Sequence, residues 1–292
     1  MPLAAAPSRP RTASLPARWR RSIGQWTTLV ALGGAVAWHG SVRTPADATR
    51  PLEMRGSVES VARSTALRVG TFNIHGGRGG GWLADLDATA DVLRNSKLDL
   101  VGLNEVHGGF ITDQAEDLGT RLGAASFFVP TERRWWHDDF GNGLLTRRPL
   151  RSVARIDLPG TQEKGFRNAI LTTLKVGDAT VTVVAAHIDT DLDRDRQLTH
   201  VCELFRSLKA PALLIGDLNC TVDHPAIATL LADPGVIDAV AVGSGSDWER
   251  DRVDHIIARG FRVIDAAIVP KGVSDHPHVW VEVTVDEASG QR

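Results

Sequence analysis

Between residues 67 and 285 short apolar runs alternate with amphipathic stretches, and nearly every apolar run stops at a polar, chemically capable side chain. Leu67–Ile74 has the alternation of a strand; it carries Asn73 and leads into His75 and the glycine-rich run 76–81. Leu83, Leu86, Ala90 and Leu93 then recur at helical spacing. Leu98–Leu103 predicts a buried strand that stops at Asn104-Glu105, Thr112 is the expected cap of a second helix bearing Ala115, Leu118 and Leu122, and Ser126–Val129 reads as a short strand. Thr131–Phe140, which contains Arg133-Arg-Trp-Trp136, reads as a charged and aromatic loop.

Further on the pattern turns to strand pairs. Asn142–Thr146, Leu150–Leu158, Asn168–Val176 and Thr180–His187 are expected strands, the last two joined by a hairpin-like turn at Gly177-Asp178. Asp193–Lys209 is an amphipathic helix carrying Leu198, Val201, Leu204 and Phe205. Ala212–Ile215 is a buried strand ending at Gly216, followed by Asp217 and Asn219, which alternation along an extended chain puts on the same side. His224–Leu231 is a short helix, and Val253–Ile257, Val263–Ile268 and Val279–Val285 are the last strands.

Helix–strand units lead and strand pairs follow, so the sheets should be mixed. Three to four helices cannot cover both faces of one sheet this large. The economical arrangement is an α/β fold with two mixed sheets packed face to face and helices on the outer faces.

Composition adds a core and an asymmetry. Of 292 residues 42% are hydrophobic, enough for one large domain, and there are 8 Trp but no Tyr. Net charge is −2, yet residues 1–64 hold nine Arg against three acidic residues, leaving the remainder markedly acidic. That balance is not the footprint of a tight non-specific nucleic-acid binder and suits a small substrate or a metal-dependent enzyme better. Two cysteines, Cys202 and Cys220, are too few for a disulfide framework and lack metal-site spacing, and their pairing stays open.

The front of the chain reads as targeting. Residues 1–25 are rich in Ala, Pro, Ser and Arg and include Arg18, Arg20 and Arg21; Trp26–Trp38 is an uncharged, mostly apolar run of 13 residues. That is short for a membrane span, which needs about 17–25 residues, and matches a signal-peptide core of about 7–15. Ala35-Val-Ala37 reads as a small-residue cleavage site. The expected organisation is an export signal or signal anchor over 1–37, a disordered linker over 38–65, the domain over 66–286 and a tail over 287–292. The globular part is expected outside the cytoplasm, with membrane association through residues 26–38.

The chemistry sits where apolar runs end. Asn73 with His75, Glu105, His187 with Asp189, the Asp217/Asn219 pair and Ser274-Asp275-His276 all do so, and Asp254 lies in Arg252-Val-Asp-His-Ile256. Each alone has an ordinary explanation as a cap, a turn or a solvated side chain. Together they bring acid, base, amide and imidazole groups to strand ends, where side chains converge in one cleft. Oxygen donors such as Glu105 and the Asn73 amide suit a hard cation, Mg²⁺ or Mn²⁺, and neither zinc spacing nor a strand-fed Gly-x-Ser-x-Gly is present.

Gly70-Thr-Phe-Asn-Ile-His75, Asp99-Leu-Val-Gly-Leu-Asn-Glu105, His187, Gly216-Asp-Leu-Asn219, Arg252-Val-Asp-His255 and Ser274-Asp-His276 together resemble the endonuclease/exonuclease/phosphatase superfamily over residues 66–286, in family order. The resemblance implies a four-layer α/β sandwich and divalent-metal-dependent cleavage of a phosphoester by activated water. It implies Glu105 as the main metal ligand, with Asn73 beside it and Asp275 lining the metal site. It casts Asp217 as the group that orients or deprotonates water and Asn219 as a phosphate holder. His276 becomes a phosphate contact or acid/base whose tautomer Asp254 fixes, and His187 a contact near the leaving group. Arg167, His75 and Asn142 fall on the substrate side. Asn104 stands where many members have Gln, and Phe72 where Tyr or Trp is common, which bears on subfamily rather than activity. The expected partner is a phosphoester substrate, with nucleic acid, phospholipid and small phosphoester all open, and the chain is expected to be a monomer. Phosphomonoester or sphingomyelinase-like lipid cleavage is the alternative activity, and a non-catalytic binding member of the fold is the remaining one.

Overall fold

The structure, a computed structural model, describes residues 25–36, 43–58, 64–79, 81, 83–109, 111–134, 137–160, 166–245 and 250–286. The chain divides into two units, residues 1–43 and 44–292. In the first, residues 25–36 form helix α1, which exposes Trp26, Leu29, Val30, Leu32 and Val36. Among the described residues no helix is long and apolar enough to cross a membrane. The expected cleavage site at residues 35–37 and the arginines before α1 fall largely outside the described residues.

Among the described residues thirteen strands make two sheets. They are β1 (Arg43–Pro45), β2 (Ala66–Asn73), β3 (Leu100–His107), β4 (Ala125–Arg134), β5 (His137–Thr146), β6 (Leu150–Asp157), β7 (Asn168–Val176), β8 (Ala179–His187), β9 (Ala212–Asp217), β10 (Val236–Asp238), β11 (Asp254–Arg259), β12 (Phe261–Val269) and β13 (His278–Val285). The helices of the second unit are α2 (Leu86–Ser96), α3 (Gln114–Leu122), α4 (Arg194–Ser207), α5 (Pro225–Leu231) and α6 (Ala239–Ser244). One sheet runs β1-β4-β5-β3-β2-β13-β12 and the other β10-β11-β9-β8-β7-β6. Both are mixed: β2 pairs parallel with β3 and β8 with β9, while β3–β5, β4–β5, β2–β13 and β12–β13 in the first sheet and β6–β7, β7–β8, β9–β11 and β10–β11 in the second are antiparallel.

Side-chain alternation builds the four layers. Leu67 and Val69, Val181, Val183 and Ala185, Leu213 and Ile215, Ile256 and Ala258, and Val279, Val281 and Val283 meet in one core between the sheets. The opposite parity on the second sheet, including Val184, Leu214 and Ile257, packs under α4 and α5 through Leu198, Val201, Phe205 and Leu230. On the first sheet Phe72, Val101, Leu103 and Leu145 pack under α2 and α3 through Leu93 and Leu118. The α/β sandwich of two face-to-face sheets with outer helices is therefore what the chain forms.

Some local expectations change. The cap of α3 is Asp113, which accepts from the Glu116 amide at 2.8 Å, while Thr112 bonds the Asp117 carboxylate at 3.2 Å. Thr131–Phe140 is a hairpin rather than a loop, because β4 and β5 stay paired out to Arg134 and His137; Trp135-Trp136 lies outside the described residues. The expected disordered linker over 38–65 is partly ordered. Its residues 43–45 form β1, the Ala46 amide donates to the Thr131 carbonyl at 3.0 Å, and Arg55 bridges Ser126. The polar backbone of this arm completes the open edge of β4, and Ala46 and Leu52 supply apolar contacts. Cys202 and Cys220 are both free thiols, and burial raises them to about 11 and about 12.

Candidate active site

The alternation that builds the inter-sheet core also builds the cleft. Asn73 continues the parity of Leu67 and Val69, His187 that of Val183 and Ala185, and Asp217 that of Leu213 and Ile215; Asp254 opens β11 in register opposite Asp217. Where the apolar side chains stop, these polar groups take their places at one end of the sandwich. The second sheet brings His187 directly opposite Asp217 on the parallel neighbour.

Glu105 has the wrong parity for the cleft, because Leu103 faces α2 and α3. A register irregularity between Leu103 and Val106 corrects this, and Glu105 takes the left-handed conformation, φ 55°. The bulge re-aims the carboxylate, a recognised use of such irregularities. Its Oε1 accepts from Asn73 Nδ2 at 3.2 Å, and the same amide donates to Asp217 Oδ2 at 3.0 Å. Asn219 is also left-handed, φ 48°, so it leaves the strand rather than continuing its alternation. Its amide N–H donates to Asp217 Oδ1 at 3.0 Å, and its side chain donates to the Ile188 carbonyl at 2.8 Å.

His276 stands at the centre. Its Nδ1 lies 2.9 Å from Asp254 Oδ2 and its Nε2 3.7 Å from Asp217 Oδ2. Burial works against charging this ring, but the Asp254 hydrogen bond and the charges of Asp254, Asp217 and Asp275 outweigh it and push its pKa up to about 9. Asp217 is 1% exposed, and burial, reinforced by the Asp254 charge, pushes its carboxyl up to about 7. His187 reaches Asp217 at 3.7 Å and Glu105 at 4.0 Å; burial holds its pKa well below the usual range, with Arg167 and His276 adding to the effect, so it is neutral at neutral pH. The cleft thus holds one cationic and one neutral imidazole over a group of carboxylates.

Ser274 anchors the segment before β13, donating to the Asn73 carbonyl at 2.7 Å and accepting from the His276 amide at 3.2 Å. His75 and Asp275 pair with each other at 3.0 Å at the exposed mouth. Arg167 lies over the Phe140 ring, 5.7 Å from its centroid, with Asp189 at 3.8 Å.

Asn142 is the expected site residue that the structure withdraws from the cleft surface. Its Nδ2 donates to Asn168 Oδ1 at 2.9 Å and to the Asn168 carbonyl at 3.1 Å, and its Oδ1 accepts from Asn104 at 3.0 Å. Asn104 in turn accepts from the Asp217 amide at 3.2 Å. Buried amides must spend their hydrogen bonds within the protein, and these three form a tie between the sheets beneath Asp217. Asn104 and Asn168 were not among the expected site residues; a run of lone Asn residues in strands, where amides are depleted, is the signal that was available. His255 was also missed: its Nε2 bonds the Cys220 carbonyl at 2.7 Å and fixes the turn that carries Asn219.

The donors fit a hard divalent cation. Asp217, Asp254 and His276 offer ligand atoms within 4.8 Å of one another, but the His276 proton already binds that cluster together. Glu105 keeps 29% side-chain exposure, so its carboxylate is the donor open to a cation, while Asn73 Oδ1 beside it already accepts from the His75 amide at 3.0 Å and keeps one lone pair to add.

A family model described as "Endonuclease/Exonuclease/phosphatase family" matches residues 70–276. The chain belongs to this family, and with it to the phosphoester hydrolases. Solved structures share the fold. An endonuclease/exonuclease/phosphatase from Beutenbergia cavernae is 23% identical with a TM-score of 0.61, covering 76% of this chain and 72% of that one. The mannosyl-6-phosphatase of Bacteroides thetaiotaomicron is 19% identical with a TM-score of 0.56, covering 75% and 99%. The catalytic domain of human Nocturnin, solved with a bound sulfate anion, is 18% identical with a TM-score of 0.56, covering 81% and 100%. No curated protein matches the sequence.

Proposed function

We propose that the protein is a divalent-metal-dependent hydrolase, of the phosphodiesterase type, in which water attacks phosphorus in line with the departing ester oxygen. The observation that carries this reading is the chain Asp254–His276–Asp217–Asn73–Glu105, joined by contacts of 2.9, 3.7, 3.0 and 3.2 Å. It places a base, a cation and an open carboxylate around one point.

Glu105 and Asn73 would hold the metal, Mg²⁺ or Mn²⁺, which would offset charge on the phosphate oxygens. Asp217 orients the water and takes its proton; a carboxyl poised near neutrality suits that task. His276, held cationic by Asp254, donates to a non-bridging oxygen as negative charge builds there. Asn219 and His187 steady the phosphate, with neutral His187 toward the leaving group, and Arg167 lines the edge. Asp275 and His75 belong to the mouth.

The acidic balance of residues 65–292 favours a small or lipid phosphoester over long DNA, and it supports phosphomonoester or lipid cleavage as the second reading. Residues 1–37 are proposed as an export signal or anchor, on their arginines followed by an apolar run. A substrate panel tests the reading: bis(p-nitrophenyl) phosphate, p-nitrophenyl phosphate, plasmid DNA and phosphatidylcholine vesicles, each with Mg²⁺ and with EDTA. Mg²⁺-dependent cleavage of the diester supports it. Exclusive cleavage of the monoester moves the enzyme to the second reading, and cleavage of nothing overturns both.

A further inference from the structure

Three large apolar side chains project into solvent from loops around the cleft. Ile111 is 97% exposed, Leu83 86% and Leu192 64%. Leu83 lies between β2 and α2, Ile111 between β3 and α3, and Leu192 between β8 and α4. Those three strands deliver Asn73, Glu105 and His187 at the same ends, so all three loops leave from the rim of the site. Elsewhere in the second unit three other large apolar residues are exposed among those described, and each is less bare: Met54, Val242 and Ile264 at 53%, 58% and 49%. Water-facing aliphatic side chains on three loops that all leave the catalytic ends of their strands make this rim a candidate interaction surface.

We propose that the rim Leu83–Ile111–Leu192 seats the cleft on a lipid bilayer, so that the phosphoester is met in the headgroup layer. Three observations select a bilayer over other occupants. Leucine and isoleucine have no ring to stack on a base, and single-strand binders rely on such rings. The domain they belong to is acidic, which opposes a polyanion but not a zwitterionic surface. The same chain carries a second apolar, uncharged element, α1, with Trp26, Leu29, Val30, Leu32 and Val36 exposed. Its described residues, 25–36, are too few to span, and an apolar helix of that length suits the interface between headgroups and acyl chains. The docking itself stands on exposure and placement; that the substrate is a lipid phosphoester rests on the function proposed above.

The full-length chain tests this with a polarity-sensitive NBD label on Ile111→Cys, and separately on Asp178→Cys in the β7–β8 turn. The native thiols Cys202 and Cys220 are buried and resist labelling. With phosphatidylcholine vesicles the label at 111 should brighten severalfold and shift to the blue, while the label at 178 stays unchanged. Flotation of the unlabelled Leu83→Ser/Ile111→Ser/Leu192→Ser variant should show partitioning weakened about tenfold or more, as expected for removing three apolar anchors. Unchanged emission at 111 while the protein floats would mean that α1 alone binds, and would overturn the proposal. So would equal responses at 111 and 178, absence of flotation, or a response at 111 to single-stranded DNA in place of vesicles. Because no readout uses turnover, inactivity on every phosphoester would overturn the catalytic reading and leave this one standing.

Discussion

Asp254 grips one nitrogen of His276 at 2.9 Å while the other nitrogen faces Asp217 at 3.7 Å. The two carboxylates come from adjacent antiparallel strands at a single register position. Their spacing is therefore a property of the sheet rather than of a loop, and the imidazole between them is held in one orientation. The ring is kept cationic where a phosphate would develop charge.

Replacing Asp254 by Asn should release that hold. The His276 titration midpoint, followed by histidine proton NMR on metal-free protein, should fall from about 9 toward the ordinary 6.5. Turnover should drop on the order of 10²-fold or more. An unmoved midpoint would show that Asp254 does not set the charge of the ring.

Glu105→Gln keeps the shape and removes the charge that fits a hard cation. Half-maximal activity should then need about 10- to 100-fold more Mg²⁺, and EDTA should abolish wild-type activity reversibly. The Mg²⁺ titration of activity reads this directly. A variant with the wild-type Mg²⁺ requirement would remove Glu105 from the metal site.

His278 gives a stability prediction away from the chemistry. It is 1% exposed beside Phe72, and burial pushes its pKa down to about 4, only partly opposed by the Thr71 carbonyl at 3.1 Å. The unfolded chain holds that proton up to about 6.5, so it binds more protons than the folded chain between the two values. The contribution of the neutral ring is whole above pH 6.5 and is lost as pH falls toward 4, on the order of 3 kcal/mol in all. As pH falls across this range, the stability difference read from thermal melts should shift in favour of His278→Phe by up to about 3 kcal/mol. Parallel curves would contradict the assignment.

Gly216 lies one residue before Asp217 at φ +141°, and a Cβ there would sit 1.8 Å from the Ala186 carbonyl oxygen. No flexible side chain can yield. Gly216→Ala should cost more than about 3 kcal/mol, seen as a large loss in Tm or as failure to fold. A stable, active Ala variant would mean that β8 and β9 separate more easily than their pairing implies.

The layers and the strand-end groups were legible because both follow from one rule. Period-two alternation sorts Leu213, Ile215 and Asp217 to one face without any knowledge of the partner strand. What alternation cannot carry is a break in itself. Glu105 reaches the cleft only through a bulge, and Asn219 leaves the strand through a left-handed turn, so the alternation that paired Asn219 with Asp217 does not describe how either side chain is placed. Asn142 was misplaced for a related reason: an amide at a strand start looks the same whether it meets substrate or Asn168. The β4–β5 hairpin hid behind its charge, since Thr131–Phe140 pairs through backbone while its side chains read as loop. The ordered arm over residues 43–58 owes its place to an open strand edge, a tertiary feature with no local sign.

The most direct test of the central claim is the rate of bis(p-nitrophenyl) phosphate hydrolysis by wild type and His276→Ala, each with Mg²⁺ and with EDTA. The structure predicts turnover only for wild type with Mg²⁺, and a drop on the order of 10²-fold or more in the folded variant. Equal rates in wild type and variant, or a wild-type rate indifferent to EDTA, would contradict it.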